Sequence, residues 1–169
     1  WAEGLTTYMA DYALADEKDP EQGRQMRLGW LRDFAALPAD RDGPVTLFTG
    51  KHSAAAQIVG YNKVAFIFHM LKEELGDDGF AASLRLFWQQ QRNRRAGWRD
   101  LRGAFEAATG RDLGWFFDQW LERTGAPRLL LTNVGVEKAP GGDGYRVHFN
   151  IRQDQPVWRL TVPVLIETA

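Results

Sequence analysis

Glu3, in the string Trp1-Ala2-Glu3-Gly4-Leu5-Thr6-Thr7-Tyr8, is the first side chain along the sequence able to serve as a metal ligand. A glutamate in the first turn of a helix is also an ordinary partner of the helix dipole. Glu3 alone is open to both readings. Tyr61 follows Gly60 and stands two residues before Lys63. A tyrosine hydroxyl beside a lysine can donate to an oxygen that gains negative charge during acyl transfer. It can equally be a core aromatic whose hydroxyl is satisfied. His69 and Glu73 lie four residues apart, the spacing of two metal ligands on one helix face and also of a helical ion pair. His148 shares the solvated side of an alternating segment with Arg146, Asn150 and Arg152. The tract Arg92-Asn93-Arg94-Arg95 reads as a solvated helix end rather than a phosphate site.

Two segments of different periodicity must position these side chains. From Trp1 to about Leu121 the apolar residues recur at helical spacing, and after Pro127 they alternate. The boundary falls near Thr124-Gly125-Ala126-Pro127. Six helices are expected before it. Leu5, Tyr8, Met9 and Tyr12 mark the first, ended by Asp16-Glu17-Lys18-Asp19-Pro20, and Met26, Trp30, Phe34 and Leu37 mark the second, stopped at Pro38. The stretch from Pro38 to about His52 reads as a long loop, a type that is often functional. Val64, Phe68, Leu71 and Leu75 form the stripe of the third helix, with Tyr61 near its start and Gly76 as a left-handed stop. Phe80, Leu84 and Phe87 mark the fourth, Leu101, Phe105 and Ala108 the fifth, and Leu113 to Leu121 the sixth, with Asp112 as its N-cap. Three half-buried strands are expected after the boundary, starting at Leu129, Tyr145 and Trp158, with Gly141-Gly142-Asp143-Gly144 as one turn.

Composition narrows the function classes. The 169 residues include no cysteine, which excludes a disulfide-stapled miniprotein and a cysteine-ligated zinc module. With 21 Lys+Arg against 22 Asp+Glu the net charge is −1, so the basic footprint of a nucleic-acid binder is missing. His52, His69 and His148 are too scattered for a histidine-only metal site. No apolar run approaches the roughly 20 residues that span a bilayer, and the start lacks a signal-peptide layout. No compartment follows from the sequence. The chain opens on Trp1 with a helix under way by Leu5, and an edge strand is left at its end, so the expectation is a piece of a longer protein.

Several strings, in order, resemble the M1 family of zinc metallopeptidases, the gluzincin aminopeptidases. Trp1 to Tyr8 is similar to the family's W-x-x-E-G-x-x-x-Y segment, and Gly60-Tyr61-Asn62-Lys63-Val64-Ala65 to its Y-x-K-G-A segment. Leu75 to Phe80, Trp98 to Leu101 and Gly110 to Leu121 follow the helical half of the family's catalytic domain, and Gly125-Ala126-Pro127 its G-x-P entry into a small β-domain. The resemblance implies a mainly α fold: residues 1–125 as the helical C-terminal half of a thermolysin-like catalytic domain, then residues 126–169 as the start of a β-sandwich-like, partial antiparallel β domain. It implies Glu3 as the third zinc ligand and Tyr61 as the residue that stabilises the tetrahedral intermediate.

The H-E-x-x-H segment is absent from the sequence. The resemblance therefore implies zinc in the intact parent, none tightly bound to this piece, and no hydrolysis by the piece alone. The implied partners are a peptide substrate and the upstream half of the same catalytic domain, with no nucleic acid and no membrane segment. The alternative is a non-catalytic relative that keeps the fold as a peptide-binding or interaction module, and a further one is a plain helical scaffold with Glu3 and Tyr61 far apart. The sequence departs from the family pattern at Ala2, Asn62 and Val64, where asparagine, glutamate and glycine are common.

Overall fold

The computed structural model describes residues 1–142 and 144–167. Two compact units result, one ending at Thr124 and one starting at Gly125. The first is helical and the second holds a two-stranded antiparallel sheet, the expected fold class.

Helix α1 covers residues 2–18 and widens into a π-turn at Thr7–Tyr12. Asp19 then breaks the helix with an extended backbone and caps α2, Pro20–Ala35, by accepting from the Glu21 N–H at 3.0 Å. Pro20 occupies the first helical position, where its missing N–H has no intrahelical partner to lose. Residues 36–53 hold two single 3₁₀ turns, Ala39–Arg41 and Val45–Leu47.

Helix α3 covers residues 54–75 and begins earlier than its apolar stripe suggests. Ser53 caps it by accepting from the Ala56 N–H at 3.0 Å. The π-turn Ile58–Lys63 interrupts it, so Tyr61 sits inside the helix, ahead of the Val64 stripe. At Gly76 the backbone takes φ 71° and ψ 170°, outside the left-handed helical well and in a region open essentially to glycine alone. The chain turns there into α4, residues 77–91. Helix α5, Trp98–Thr109, ends on Gly110 at φ 67°, and α6, residues 114–122, follows. The N-cap of α6 is Leu113 rather than the expected Asp112, which stands one residue earlier and accepts from the Gly114 N–H at 2.8 Å, while Glu106 takes the Leu113 N–H at 3.0 Å.

Aromatic rings join these helices into one core. Tyr8 of α1 meets Phe80 of α4 at 5.6 Å, Phe80 meets Phe105 of α5 at 5.8 Å, and Phe68 of α3 stacks on Trp98 at 6.2 Å. Phe68, Leu71, Leu101, Phe105 and Leu113 are fully buried. Trp30 packs into its helix interface, whereas Trp88 is 65% exposed on α4.

In the second unit β1, Leu129–Lys138, pairs with β2, Tyr145–Gln153, from Leu129 opposite Gln153 to Lys138 opposite Tyr145. The register shifts between Thr132 and Gly135, where Asn133 has φ 54°. The third expected strand, Trp158 to Ile166, does not join this sheet. Half-burial also fails, since Tyr145 and Ile151 are exposed and Val147 and Phe149 only partly covered. Two strands cannot bury a face by themselves. Asp143 of the expected turn lies outside the described residues.

Candidate functional site

Gly4 brings the two sequence-predicted site segments together. A Cβ on Gly4 would lie 2.1 Å from Val64 Cγ1 and 2.3 Å from Val64 Cβ, so only a glycine lets α1 lie this close to α3. The first turn of α1 packs against both the Tyr61-bearing π-turn and the helix beyond it. Glu3 adjoins the contact on one side, and Tyr61 precedes Val64 by less than one turn on the other. Val64 is the residue that fills the space over Gly4, and it is 1% exposed.

The start of α1 is held at three points. The Trp1 indole N–H donates to the Ala96 carbonyl at 2.9 Å, and its ring meets Phe87 edge-on at 5.1 Å. The Thr7 hydroxyl donates to the Glu3 carbonyl at 3.0 Å, where the helix begins to widen. The Glu3 side chain is partly exposed and makes no hydrogen bond or salt bridge with a described side chain.

Tyr61 is gripped by the segment before α3. The Phe48 ring meets it edge-on at 6.0 Å, and the Lys51 ammonium lies 6.0 Å over its face. Gly60 makes room for Phe48, because a Cβ there would stand 2.2 Å from the Phe48 ring. Among the described residues the Tyr61 hydroxyl takes no hydrogen bond, and the side chain is only partly covered.

Lys63 faces the other way. Its ammonium is 3.9 Å from Asp42 Oδ1, donates to the Arg123 carbonyl at 3.3 Å and lies 5.1 Å over the Phe34 ring. Burial pushes its pKa below the usual lysine value, and Asp42 offsets part of that. Lys63 is thus an anchor for the loop rather than a second donor beside Tyr61. Asn62 donates to Asp33 on α2 at 3.1 Å.

His69 does not pair with Glu73. Its Nδ1 lies 3.4 Å from the Tyr12 hydroxyl, which also receives the Arg27 guanidinium, and Arg27 pairs with Asp16 at 3.1 Å. Burial, then the Arg27 charge, hold its pKa down at about 4. The ring also meets Tyr12 at 5.5 Å and Phe66 at 5.6 Å, so His69 is a neutral part of the α1–α2–α3 packing. Arg92, Arg94 and Arg95 are exposed at the end of α4, and His148 is exposed on β2 over Gly135, both as the sequence suggests.

Phe48, Gly60 and Asp42 escaped the sequence reading, since each acts through a partner at least a dozen residues away. Among the described residues no three His, Asp or Glu side chains converge to hold a metal ion. Glu3 is one donor where zinc takes three from the protein, so these residues do not compose a zinc site. Among the described residues no helix is long and apolar enough to cross a membrane.

No protein-family model matches the chain. A curated relative, aminopeptidase N of Lactococcus lactis subsp. lactis, is 37% identical over 67 residues, which is 40% of this chain and 8% of that protein. The matched stretch therefore spans less than a tenth of that relative's length. At this coarse level, the chain carries a region related to a peptidase.

Proposed function

We propose that this chain is part of a zinc-dependent aminopeptidase of the M1 type. Residues 1–125 belong to the helical half of its catalytic domain, and residues 126–169 begin a β-sandwich-like domain. The remaining zinc donors are supplied by the upstream half of that domain, outside this chain, and the substrate is a peptide. Glu3 would contribute one carboxylate to a zinc ion completed by those upstream donors. Tyr61 donates its hydroxyl proton in a hydrogen bond to the scissile carbonyl oxygen as that oxygen gains negative charge.

The observation that supports this reading most is the close contact of Gly4 with Val64. It sets a carboxylate without a side-chain partner and a tyrosine hydroxyl without a described partner on two adjoining segments. Both groups are partly exposed and so stay open to a ligand from outside the fold.

The test is a pair of substitutions in the full-length protein. Tyr61→Phe should lower kcat by roughly 10²–10³-fold, the usual effect of losing one such donor, while zinc content stays unchanged. Glu3→Ala should lower zinc affinity. Equal turnover for Tyr61→Phe and wild type would sink the Tyr61 role, and a full-length protein that binds peptides without cleaving them would favour the non-catalytic module.

A further inference from the structure

The segment ahead of α3 does more than connect two helices. Val45 is 2% exposed, the Thr46 hydroxyl donates to Glu122 at 3.1 Å, and Asp42 reaches the Lys63 ammonium. These three anchors bind the segment to α6 and α3, and Phe48 and Lys51 follow directly. Their common target is one side chain, Tyr61. Phe48 abuts the ring edge-on, at 87° between planes, and Lys51 covers one face of it.

The fit is specific to glycine at position 60. The three nearest atoms to a Cβ there would all be Phe48 ring carbons, at 2.2 to 2.4 Å. Glycine inside a helix is unfavourable relative to alanine, and here its space is filled by the ring that touches the next residue. Packing that limits the rotamer of a reacting side chain matters because a misplacement of about 1 Å can cost on the order of 10²-fold in rate.

We infer that Phe48 is a positioning residue for Tyr61: its ring, seated on Gly60 and anchored by the 42–46 segment, fixes the direction of the Tyr61 hydroxyl. This rests on the peptidase reading for its catalytic consequence, but not for its structural one. The Phe48 ring closes the side toward which Tyr61 could otherwise swing, and the exposed Lys51 ammonium lies 6.0 Å over the ring face without packing on it. Phe48 touches no reacting atom, so it acts on kcat through Tyr61 alone.

The experiment uses the full-length protein with 3-fluorotyrosine incorporated at position 61, read by fluorine NMR, together with steady-state kinetics. Phe48→Leu keeps an apolar side chain of similar bulk but removes the ring. It should shift and broaden the position-61 resonance and lower kcat roughly 10- to 100-fold, with KM within about twofold, because substrate binding elsewhere is untouched. Phe48→Tyr keeps the ring and should retain both the wild-type resonance and most of kcat. Gly60→Ala expels the Phe48 ring and should reproduce the Phe48→Leu spectrum, whereas adding Gly60→Ala to Phe48→Leu should change little further.

An unaltered resonance in both Phe48→Leu and Gly60→Ala would overturn the inference. So would an equal loss of kcat in Phe48→Tyr and Phe48→Leu, since that tracks size and not the ring. If wild type and every variant are inactive on peptides, the peptidase reading fails while the resonance still decides the positioning role.

Discussion

Replacing Gly4 by alanine puts a methyl group where the structure has none to spare. The added carbon would sit 2.1 Å from Val64 Cγ1, 2.3 Å from Val64 Cβ and 3.1 Å from the Ala65 backbone nitrogen. Carbon pairs settle at about 3.5–4.0 Å, so α1 and α3 must part by roughly 1.5 Å. Val64 cannot rotate out of the way. A β-branched side chain has one strongly preferred rotamer in a helix, and its Cβ does not move with χ1 at all. Ala65 is fully buried and cannot yield either. Overpacking of this kind costs about 1–3 kcal/mol, and the upper end applies because one clash is with a fixed Cβ. Alanine's better helix propensity returns about 1 kcal/mol. The net expectation is a loss of about 2 kcal/mol, from two effects of opposite sign.

Urea unfolding reads this directly, as a lower midpoint at unchanged slope. A double-mutant cycle with Val64→Gly isolates the contact. That substitution removes both close carbons and leaves only the 3.1 Å contact to Ala65. Its own costs, lost burial and a glycine in a helix, cancel in the cycle. The two changes should couple by about 2–3 kcal/mol, far above the 0.3–0.5 kcal/mol scatter of independent sites. Additive effects, or a Gly4→Ala protein as stable as wild type, would refute the account of how the first turn of α1 approaches α3.

Two further outcomes follow from buried charge. His69 has its folded pKa at about 4 against an ordinary 6.5, so between these values the unfolded chain binds more protons and stability falls as pH is lowered. With Arg27 and Lys72 repelling the charged form and Asp16 favouring it, roughly 1–3 kcal/mol should be lost from pH 6.5 to pH 4 after solvent screening. His69→Phe should flatten that stretch of a stability-versus-pH profile, and an unchanged slope would contradict the assignment. Asp42→Ala strands the Lys63 ammonium and should cost about 3 kcal/mol, the low end for a broken buried pair because this one spans 3.9 Å. Because Lys63 sheds its proton in the folded protein below its usual pKa, the unfolded chain holds more protons at alkaline pH. The variant should therefore regain stability as pH rises, a trend chemical denaturation at several pH values would reveal.

Much of the helical order was legible because it is written locally. The run Asp16 to Pro20 marks a helix end and Gly76 a break, and each acts within one turn of itself, although the further role of Asp19 and Pro20 in starting α2 was not read. The early start of α3 was not legible. Ala54-Ala55-Ala56-Gln57 carries no apolar stripe, and the π-turn at Ile58–Lys63 shifts the helical phase by a residue, so the Val64 stripe seemed to be the start. The same widening in α1 begins at Thr7, three residues after Gly4. A period of 3.6 cannot reveal such turns, which often sit at functional positions. The third strand failed for a different reason. Alternation reports a preference for a pleated, half-covered surface, and Trp158 to Ile166 has that pattern without joining β1 and β2.

The candidate site was legible in its residue types and not in its geometry. Glu3 and Tyr61 stand out by their neighbours in sequence, but what brings their segments together is the pair Gly4 and Val64, 60 positions apart. What aims Tyr61 is Phe48 against Gly60. In both pairs one partner is a glycine, whose contribution is the space it leaves. A missing side chain has no chemistry to read from sequence, and its meaning appears only when the group that fills the space is known. Val64 makes the same point in reverse. Glycine at both positions 4 and 64 would leave the contact loose, whereas valine on one side demands glycine on the other. The two positions therefore constrain each other as one unit, and a substitution at either is interpretable only with the other in view.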